Sequence, residues 1–292
     1  MPESSELLAF LLKTLAGQSQ TSVKNLLKHR CILVNDQCVS QYNYILQPND
    51  CVTVVSSHQK QFGLNHPKLR LLYEDDFILV VDKASGLHSV DTTGHGVENA
   101  ASILDGYIRR KSPGKRIYIV HRLDRDTSGV MLFAKSREAQ DVLVADWNER
   151  VLERTYIALA EGDMAPLTGT IDSWLYEDDR KVMHSTSDAG KGLRAITHYQ
   201  VIEKGNGYTL VRLNLETGRT NQIRVHLQSL GFPVAGDGKY GAKTDPVRRL
   251  ALHAMNIRFR HPFTQKVLAF SVDMPESFRQ VMRPGADGLD GV

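Results

Sequence analysis

Apolar residues in the first part of the chain recur at the spacing of helices and then at the spacing of strands. A leucine face of helical period is formed by Leu7, Leu8, Leu11, Leu12 and Leu15. Gly17 is placed to end this helix, and Thr21 or Ser22 can cap a second one. Short apolar runs separated by turn residues predict strands at 32–34, 39 and 52–55. The pattern therefore predicts a small α+β unit over residues 1–57.

The chain then passes through a polar segment into a longer apolar pattern. Residues 58–69 contain Gly63 and Pro67 and have the composition of a linker. The elements predicted beyond it are buried strands at 77–81 and 130–134, helices at 97–109 and after Ser136, and a hairpin at 195–202 and 208–215. Strands joined by hairpins, with helices between some of them, favour a mixed, largely antiparallel sheet. We therefore predict an α+β fold over residues 70–275 and a C-terminal tail at 276–292.

Composition limits the class of protein without defining it. The 292 residues include 41% hydrophobic and 24% charged side chains, which is typical of a globular protein. The 36 basic and 33 acidic side chains leave a charge of +3, so a nucleic-acid partner is permitted but not required. The apolar run at 7–12 is shorter than the roughly 20 residues that cross a membrane. Since Glu3 and Glu6 precede this run, it also lacks the basic start of a signal peptide. We expect a cytoplasmic monomer with no membrane partner.

The cysteine pattern argues against a disulfide framework and against a metal site. Cys31, Cys38 and Cys51 are odd in number and lack paired Cys-x-x-Cys spacing. The sequence also has no His-Glu-x-x-His motif. We expect buried thiols in a reducing compartment and no catalytic metal.

The basic residues of the first unit are gathered in one place. Residues 1–57 carry four Lys or Arg and four Asp or Glu side chains, and three of the four bases lie on or beside the second predicted helix. These three, Lys24, Lys28 and Arg30, are candidate RNA-binding residues, although an ordinary solvated helix face has the same pattern. The order of two helices and short strands resembles the S4-like RNA-binding domain. That resemblance implies that the first unit contacts RNA.

The densest polar segment of the larger unit is HRLDRDTSG at positions 121–129. It lies between two predicted strands, and a loop held by core strands presents its side chains rigidly. Arg122 and Arg125 flank Asp124, which favours an ionised carboxylate able to act as nucleophile or base. The alternative is a salt-bridged turn, and this is the interpretation that we prefer for residues 126–128.

A second polar cluster occupies positions 216–226. Thr220 can cap a helix that Gly231 ends, and the start of such a helix favours phosphate. Arg219 lies at the preceding turn, where it can contact a backbone phosphate, and Arg224 lies in the first turn of the helix. The alternative is an exposed basic helix start of the kind found in many proteins.

The motifs of the larger unit, in this order, resemble those of the RluA family of RNA pseudouridine synthases. HRLDRDTSG followed by an apolar strand is similar to the family signature. Further similar segments are 73–83, 154–158, TGRTNQIRVHL at 217–227, 231–241 and 252–262. Together they extend over about residues 70–272. The sequence departs from the family pattern at Asn221, where His is usual, at Ala84-Ser85, where Pro-Ala is usual, and at Arg154, where Lys is usual.

The resemblance implies a reaction and a role for several residues. A pseudouridine synthase breaks the bond between ribose and uracil, turns the base and rejoins it through carbon, so no redox or energy cofactor is needed. Asp124 then acts as nucleophile or base on a flipped uridine, and Arg224 pairs with it. Tyr156 packs against the base and can move a proton. Arg122 helps to fill the space that the base leaves, and Leu252 supports the floor of the pocket.

Two other functions and two RNA substrates remain open at this point. A non-catalytic RNA-binding protein would not need Asp124, Tyr156 and Arg224 together. A nucleotide-hydrolysing enzyme would need a phosphate loop, but segment 236–244 has no Gly-Lys-Thr triplet, because Ala242 separates Gly241 from Lys243. Because of the S4-like unit we expect large-subunit ribosomal RNA as the substrate, with transfer RNA as the alternative.

Overall fold

The computed structural model describes residues 5–17, 19–28, 32–35, 37–39, 41–48, 50–54, 64–91, 94 and 96–283. The chain divides into two compact units, Met1–Gly63 and Leu64–Val292, and the division falls within the segment 58–69 that was predicted as a linker. No helix of the described residues is long and apolar enough to cross a membrane.

The first unit contains two helices and short strands around an apolar core. The helices are α1 (Leu7–Thr14) and α2 (Gln20–Lys28), and the strands are β1 (Ser5–Glu6), β2 (Ile32–Val34), β3 (Gln37–Cys38), β4 (Ile45–Leu46) and β5 (Val52–Val54). β2 pairs with β3 and β5, and β1 pairs with β4, all antiparallel. Helix α2 begins earlier than predicted, because the Ser19 hydroxyl accepts a hydrogen bond from the Ser22 amide at 3.1 Å.

The predicted RNA-binding residues of the first unit are described only in part. Lys24 is exposed on α2. The side chain of Lys28 and all of Arg30 lie outside the described residues, as does Cys31. Cys51 is exposed, so the prediction of a buried thiol is wrong at that position.

The second unit is built on an 11-stranded sheet. Its strands are β6 (Leu69–Glu74), β7 (Ile78–Lys83), β8 (Tyr118–Ile119), β9 (Ser128–Ala134), β10 (Val151–Glu161), β11 (Thr168–Glu177), β12 (Met183–Thr186), β13 (Leu193–Gly205), β14 (Tyr208–Leu215), β15 (Leu252–Arg260) and β16 (Val267–Ser271). Its helices are α3 (Ala100–Lys111), α4 (Arg137–Ala145), α5 (Trp147–Arg150), α6 (Gln222–Ser229) and α7 (Glu276–Met282), with a 3-10 turn at Gly238–Tyr240.

The order of the strands confirms the predicted mixed, largely antiparallel α+β fold. The sheet runs β12-β11-β13-β14-β10-β15-β9-β7-β6, with β16 beside β15 and β8 beside β9. Strands β9 and β15 are parallel, and every other strand pair of the described residues is antiparallel. Gly129 makes the parallel contact possible: its φ is 116°, and a Cβ there would lie 2.0 Å from the Ala254 carbonyl oxygen. Segment 121–127, which precedes Gly129, is thereby brought beside the middle of the sheet.

Local capping explains two helix starts, and burial corrects one boundary. Asn99 caps α3 with a reciprocal capping box, so this helix begins at Ala100 rather than at 97. The Ser136 hydroxyl caps α4 as predicted.

Segment 276–292 was predicted as a tail, but Phe278 and Met282 of α7 are buried in the core. The compact unit therefore extends at least to Met282.

Candidate active site

The backbone on both sides of Asp124 is held by buried polar side chains. The Lys83 ammonium group donates to the carbonyl oxygens of Arg125 at 3.0 Å and Leu87 at 2.8 Å. The Ser89 hydroxyl donates to the Leu123 carbonyl oxygen at 2.6 Å and accepts from the Leu123 amide at 3.1 Å. Asp124 lies between these two anchored residues, so the position of its main chain is fixed from both sides.

Lys83 is an unusual group, because it is fully buried and no carboxylate of the described residues contacts it directly. Its three hydrogen-bond acceptors are all main-chain carbonyl oxygens, the third being that of Ala84 at 3.1 Å. Burial lowers the pKa of Lys83 to about 8, against the opposing charges of Asp126 and Asp124. At neutral pH the group is mostly protonated and can supply three hydrogen bonds.

Arg224 joins Asp124 to a second, deeper carboxylate. Its Nη1 lies 3.0 Å from Oδ2 of Asp124, and its Nε and Nη2 bind the two oxygens of Asp237 at 2.6 and 2.8 Å. The side chain of Asp237 is 2% exposed and that of Asp124 31% exposed. Burial alone would lower the pKa of Arg224, but the hydrogen bonds and charges of Asp237 and Asp124 raise it above its ordinary value. The guanidinium is therefore a permanent cation that is anchored on Asp237 and presented to Asp124.

Asn221 completes the frame around Arg224. It precedes α6 in a left-handed conformation, with φ of 53°, and its side chain makes no capping bond. Its Oδ1 accepts from Arg224 Nη1 at 2.8 Å, and its Nδ2 donates to the Tyr240 hydroxyl at 3.0 Å. The Arg224 guanidinium also lies 4.9 Å from the centroid of the Tyr240 ring. The prediction that Thr220 caps α6 is wrong, because Asn221 occupies the N-cap position.

Tyr156 lies on β10 beside an irregularity in the pairing with β15. The register shifts between Thr155 and Tyr156, which is where a bulge can turn a side chain toward a site. Tyr156 and Asp124 line the same cavity. Burial raises the pKa of Tyr156; the charge of Arg154 opposes the shift and that of Asp124 adds to it. The phenol therefore stays protonated at neutral pH.

A polar cavity of about 550 Å³ opens beside Asp124 and Tyr156. Arg122 and Arg219 lie on its wall. The Arg122 guanidinium is exposed, and among the described residues it has no hydrogen-bond or ion-pair partner. Arg219 is exposed and donates from Nε to the Arg194 carbonyl oxygen at 3.0 Å. Leu252, 4% exposed, lines a smaller adjoining cavity that Asp124, Tyr156 and Arg224 also line.

The structure thus brings together the six site residues predicted in the second unit, which are Arg122, Asp124, Tyr156, Arg219, Arg224 and Leu252. Sequence reasoning missed the role of Asp237, and it also missed Asn221, Tyr240 and Lys83 as parts of the same arrangement. The motif that contains Asp237 and Tyr240 was recognised, but nothing in the local pattern shows that either side chain contacts Arg224. Among the described residues no group of three or more His, Cys, Asp or Glu side chains is placed to hold a metal ion.

The segment that resembled a phosphate loop has a different structure. Its main-chain amides at Lys243 and Thr244 donate to the Glu161 carboxylate at 2.9 and 2.7 Å. A phosphate loop needs such amides free for its ligand and leads into a helix. Here the segment contains only the short 3-10 turn Gly238–Tyr240. These contacts argue against nucleotide hydrolysis at this place.

Comparisons with known proteins place this chain in one class, the enzymes that isomerise uridine in RNA. Residues 77–229 match the family described as RNA pseudouridylate synthase. An uncharacterized RNA pseudouridine synthase of Bacillus subtilis, YlyB, is 37% identical over 94% of this chain and 91% of its own length. The ribosomal large subunit pseudouridine synthase D of Neisseria meningitidis serogroup B is 31% identical over 94% of this chain and 77% of its own. The solved structure of human RNA pseudouridylate synthase domain containing 1 covers 70% of this chain and 83% of its own, with a TM-score of 0.56 and 28% identity.

The chain belongs to the RNA pseudouridylate synthase family and is an isomerase that modifies RNA. This confirms the family resemblance read from the spaced motifs.

Proposed function

We propose that the protein converts uridines of large-subunit ribosomal RNA to pseudouridine, with Asp124 as the catalytic carboxylate. The name of the Neisseria meningitidis relative supports this choice of RNA. The order of the first unit, which resembles an S4-like domain, supports it as well. The observation that carries the assignment of Asp124 is its 3.0 Å ion pair with Arg224 at the edge of a polar cavity that Tyr156 also lines.

The reaction is an isomerisation in which all atoms of the nucleotide are retained apart from an exchanged proton. The bond from ribose C1′ to uracil N1 breaks, a bond from C1′ to C5 forms, N1 gains a proton and C5 loses its own. Within a folded RNA the target uridine must leave its stack before a protein group can reach C1′. Asp124 attacks C1′ or removes the proton of the neighbouring ribose carbon, and either step requires its ionised form.

The other candidate residues support this chemistry from fixed positions. Arg224 stabilises the ionised Asp124, and Asp237 keeps Arg224 in place. Tyr156 packs against the uracil and, because its pKa is raised, can donate a hydrogen bond to the base. The unpartnered Arg122 guanidinium is free to enter the space that the flipped base leaves, and Arg219 is placed to contact phosphate. Buried Leu252 supports the floor of the pocket.

A tritium-release assay tests the proposal. Unmodified large-subunit ribosomal RNA, transcribed with uridine tritiated at C5, should release tritium in the presence of the protein, because C5 loses its hydrogen. Asp124→Asn should abolish release while RNA binding persists. Asp126→Asn is the matched control, because Asp126 lies on the same loop and pairs with the exposed Arg125 at 2.9 Å. It should retain turnover, since exposed ion pairs contribute little.

Two results would contradict the proposal. Turnover by Asp124→Asn at the wild-type rate would exclude Asp124 as the catalytic carboxylate. Turnover confined to transfer RNA transcripts would show that the choice of ribosomal RNA is wrong while leaving the assignment of Asp124 intact.

A further inference from the structure

A second groove leads away from Asp124 on the side formed by segment 236–250. It has a volume of about 600 Å³, and its walls are Ser85-Gly86, Arg125-Asp126, Gly236–Lys239 and Arg248–Leu250. A cavity of about 260 Å³ that Asp124 lines shares five residues with this groove: Arg125, Asp126, Arg224, Lys239 and Leu250. The groove is therefore continuous with the candidate active site.

The groove carries an excess of positive charge. Its basic residues are Arg125, Arg224, Lys239, Arg248 and Arg249, and its acidic residues are Asp126 and Asp237. The two acidic groups are engaged, because Arg125 binds Asp126 and Arg224 binds Asp237. Arg249 donates to the buried Ser128 hydroxyl at 2.9 Å. The charge that remains available to a ligand is that of Lys239 and Arg248.

Lys239 and Arg248 are the exposed groove cations without a carboxylate partner among the described residues. Arg249 has no carboxylate partner either, but it is half-buried and bound to Ser128. The Lys239 ammonium group donates to the Lys181 carbonyl oxygen at 2.9 Å and lies 5.7 Å from the centroid of the Tyr240 ring. Both contacts leave its charge uncompensated. The Arg248 side chain has no hydrogen-bond or ion-pair partner in the described parts of the chain.

The backbone that carries these two cations is fixed in unusual conformations. Arg248 has a φ of 54°, in the left-handed region, and its amide donates to the Asp245 carbonyl oxygen at 3.2 Å. Gly236 has a φ of 78°, and a Cβ there would lie 2.2 Å from the Arg249 carbonyl oxygen. A left-handed residue other than glycine persists only where its surroundings enforce it, and such positions cluster at functional sites. The two arms of the segment are thus held closely together, with a cation on each.

We propose that this groove binds the phosphate backbone of RNA on one side of the target uridine, with Lys239 and Arg248 contacting phosphates. This inference rests on the proposed function. Lys239 and Arg248 favour a polyanionic ligand. Because the groove is continuous with the site of Asp124, we infer that this polyanion is the RNA strand that contains the reacting nucleotide. Arg224 is bound by two carboxylates and Arg249 by the Ser128 hydroxyl, so we expect these two side chains to form the wall of the groove and not to bind phosphate.

The test is the salt dependence of RNA binding by a double variant, Lys239→Met with Arg248→Gln. Both substitutions remove charge and retain side-chain size. The matched control is Arg258→Gln with Lys266→Met. Arg258 is exposed on β15, and Lys266 is exposed in the turn between β15 and β16. Both lie near the end of β15 that is farther from Leu252. Thermal unfolding of both variants is the check that they are folded.

Unmodified large-subunit ribosomal RNA transcribed in vitro is the ligand, and Kd is measured over a series of salt concentrations. The slope of log Kd against log salt should fall by about one for each lost phosphate contact, hence by about two in the groove variant. KM for turnover should rise while kcat at saturating RNA stays unchanged. The control should behave as the wild type.

The inference is overturned if the groove variant has the slope and KM of the control. This outcome would leave the proposed function intact, provided that the wild type releases tritium from the ribosomal RNA transcript. If the wild type binds RNA but releases no tritium from any transcript, the proposed function fails, and the change in slope still decides whether RNA occupies the groove.

Discussion

Replacing Asp237 by Asn tests whether the second carboxylate sets the position of Arg224. Asp237 lies in the segment after α6, and its two oxygens bind Nε and Nη2 of Arg224 at 2.6 and 2.8 Å. Asn has the same shape, but it is neutral and turns an NH₂ group toward a guanidinium that has only donors. The variant therefore replaces one of the two bonds by a contact between two donors, and it leaves the other bond without the charge of the carboxylate.

The size of the effect follows from the burial of the pair. The side chains of Asp237 and Arg224 are 2% and 14% exposed, so solvent cannot replace the lost partner. Removing one member of a buried pair costs about 3–5 kcal/mol. Arg224 still contacts Asp124, and Asn still offers it one acceptor oxygen. We therefore expect the free energy of unfolding to fall by about 3 kcal/mol, which corresponds to a decrease in Tm of roughly 6–12 °C for a unit of this size.

The rate of the reaction should fall as well as the stability of the fold. An Arg224 that is no longer anchored on Asp237 can rotate away from Asp124, and a misplacement of about 1 Å at a reacting group can lower the rate on the order of 10²-fold. We expect kcat to fall by this order and KM to change little, because the Asp237 side chain is only 2% exposed and its carboxylate is bound by Arg224.

The assay is thermal unfolding together with tritium release, and Asp172→Asn is the control. Asp172 forms a two-bond pair with Arg194 at 2.9 and 2.5 Å, but both side chains are exposed. Its replacement should leave Tm unchanged within error. Equal Tm and equal kcat in the Asp237 and Asp172 variants would refute the reasoning, because Arg224 would then hold its position without Asp237.

Three further predictions follow from the same geometry. Arg224→Leu should lower kcat steeply, because the Asp124 carboxylate loses the cation that it contacts at 3.0 Å; a near-normal kcat would show that the ion pair does not support catalysis. Lys83, with its pKa lowered from 10.5 to about 8, contributes stability that is lost as the pH falls from 10.5 to 8. In urea titrations the wild type should therefore gain up to about 3 kcal/mol relative to Lys83→Met over this rise in pH, and a constant difference would contradict it. A chain that begins at Leu64 should fold and retain turnover at high RNA concentration, but bind ribosomal RNA more weakly and with a shallower salt dependence; equal affinity would show that the first unit does not bind RNA.

The elements that the sequence predicted well are those determined by local pattern. The buried run before Lys135 and the hairpin across 204–207 appear as β9 and as β13 with β14. A continuous apolar run predicts the buried strand, and alternation of apolar and polar residues with glycine at the turn predicts the hairpin, in both cases without reference to the rest of the chain. The cap at Ser136 is local in the same sense.

The start of α6 could not be predicted, because it depends on a contact that is distant in sequence. Thr220 and Asn221 are both good N-cap residues. Asn221 occupies the N-cap position without capping, because its amide bridges Arg224 and the Tyr240 hydroxyl. Nothing in residues 216–226 shows where Tyr240 lies.

The same limitation applies to the anchor of the site and to the end of the fold. Asp124 and Asp237 are more than a hundred residues apart in the sequence, and only the fold shows that one arginine binds both. Phe278, Val281 and Met282 have helical spacing, but segment 276–282 is shorter than the window over which such a period can be recognised, so its pattern alone did not separate a helix from a tail. The burial of Phe278 and Met282 depends on the core that they pack against.

Pseudouridine mapping in cells tests the central claim most directly. Ribosomal and transfer RNA would be mapped at single-nucleotide resolution from cells that lack the gene and from the same cells carrying either the wild type or Asp124→Asn. We predict that specific pseudouridines of large-subunit ribosomal RNA disappear without the gene, return with the wild type and stay absent with Asp124→Asn. Restoration of those sites by Asp124→Asn, or an unchanged large-subunit map in cells that lack the gene, would contradict the account.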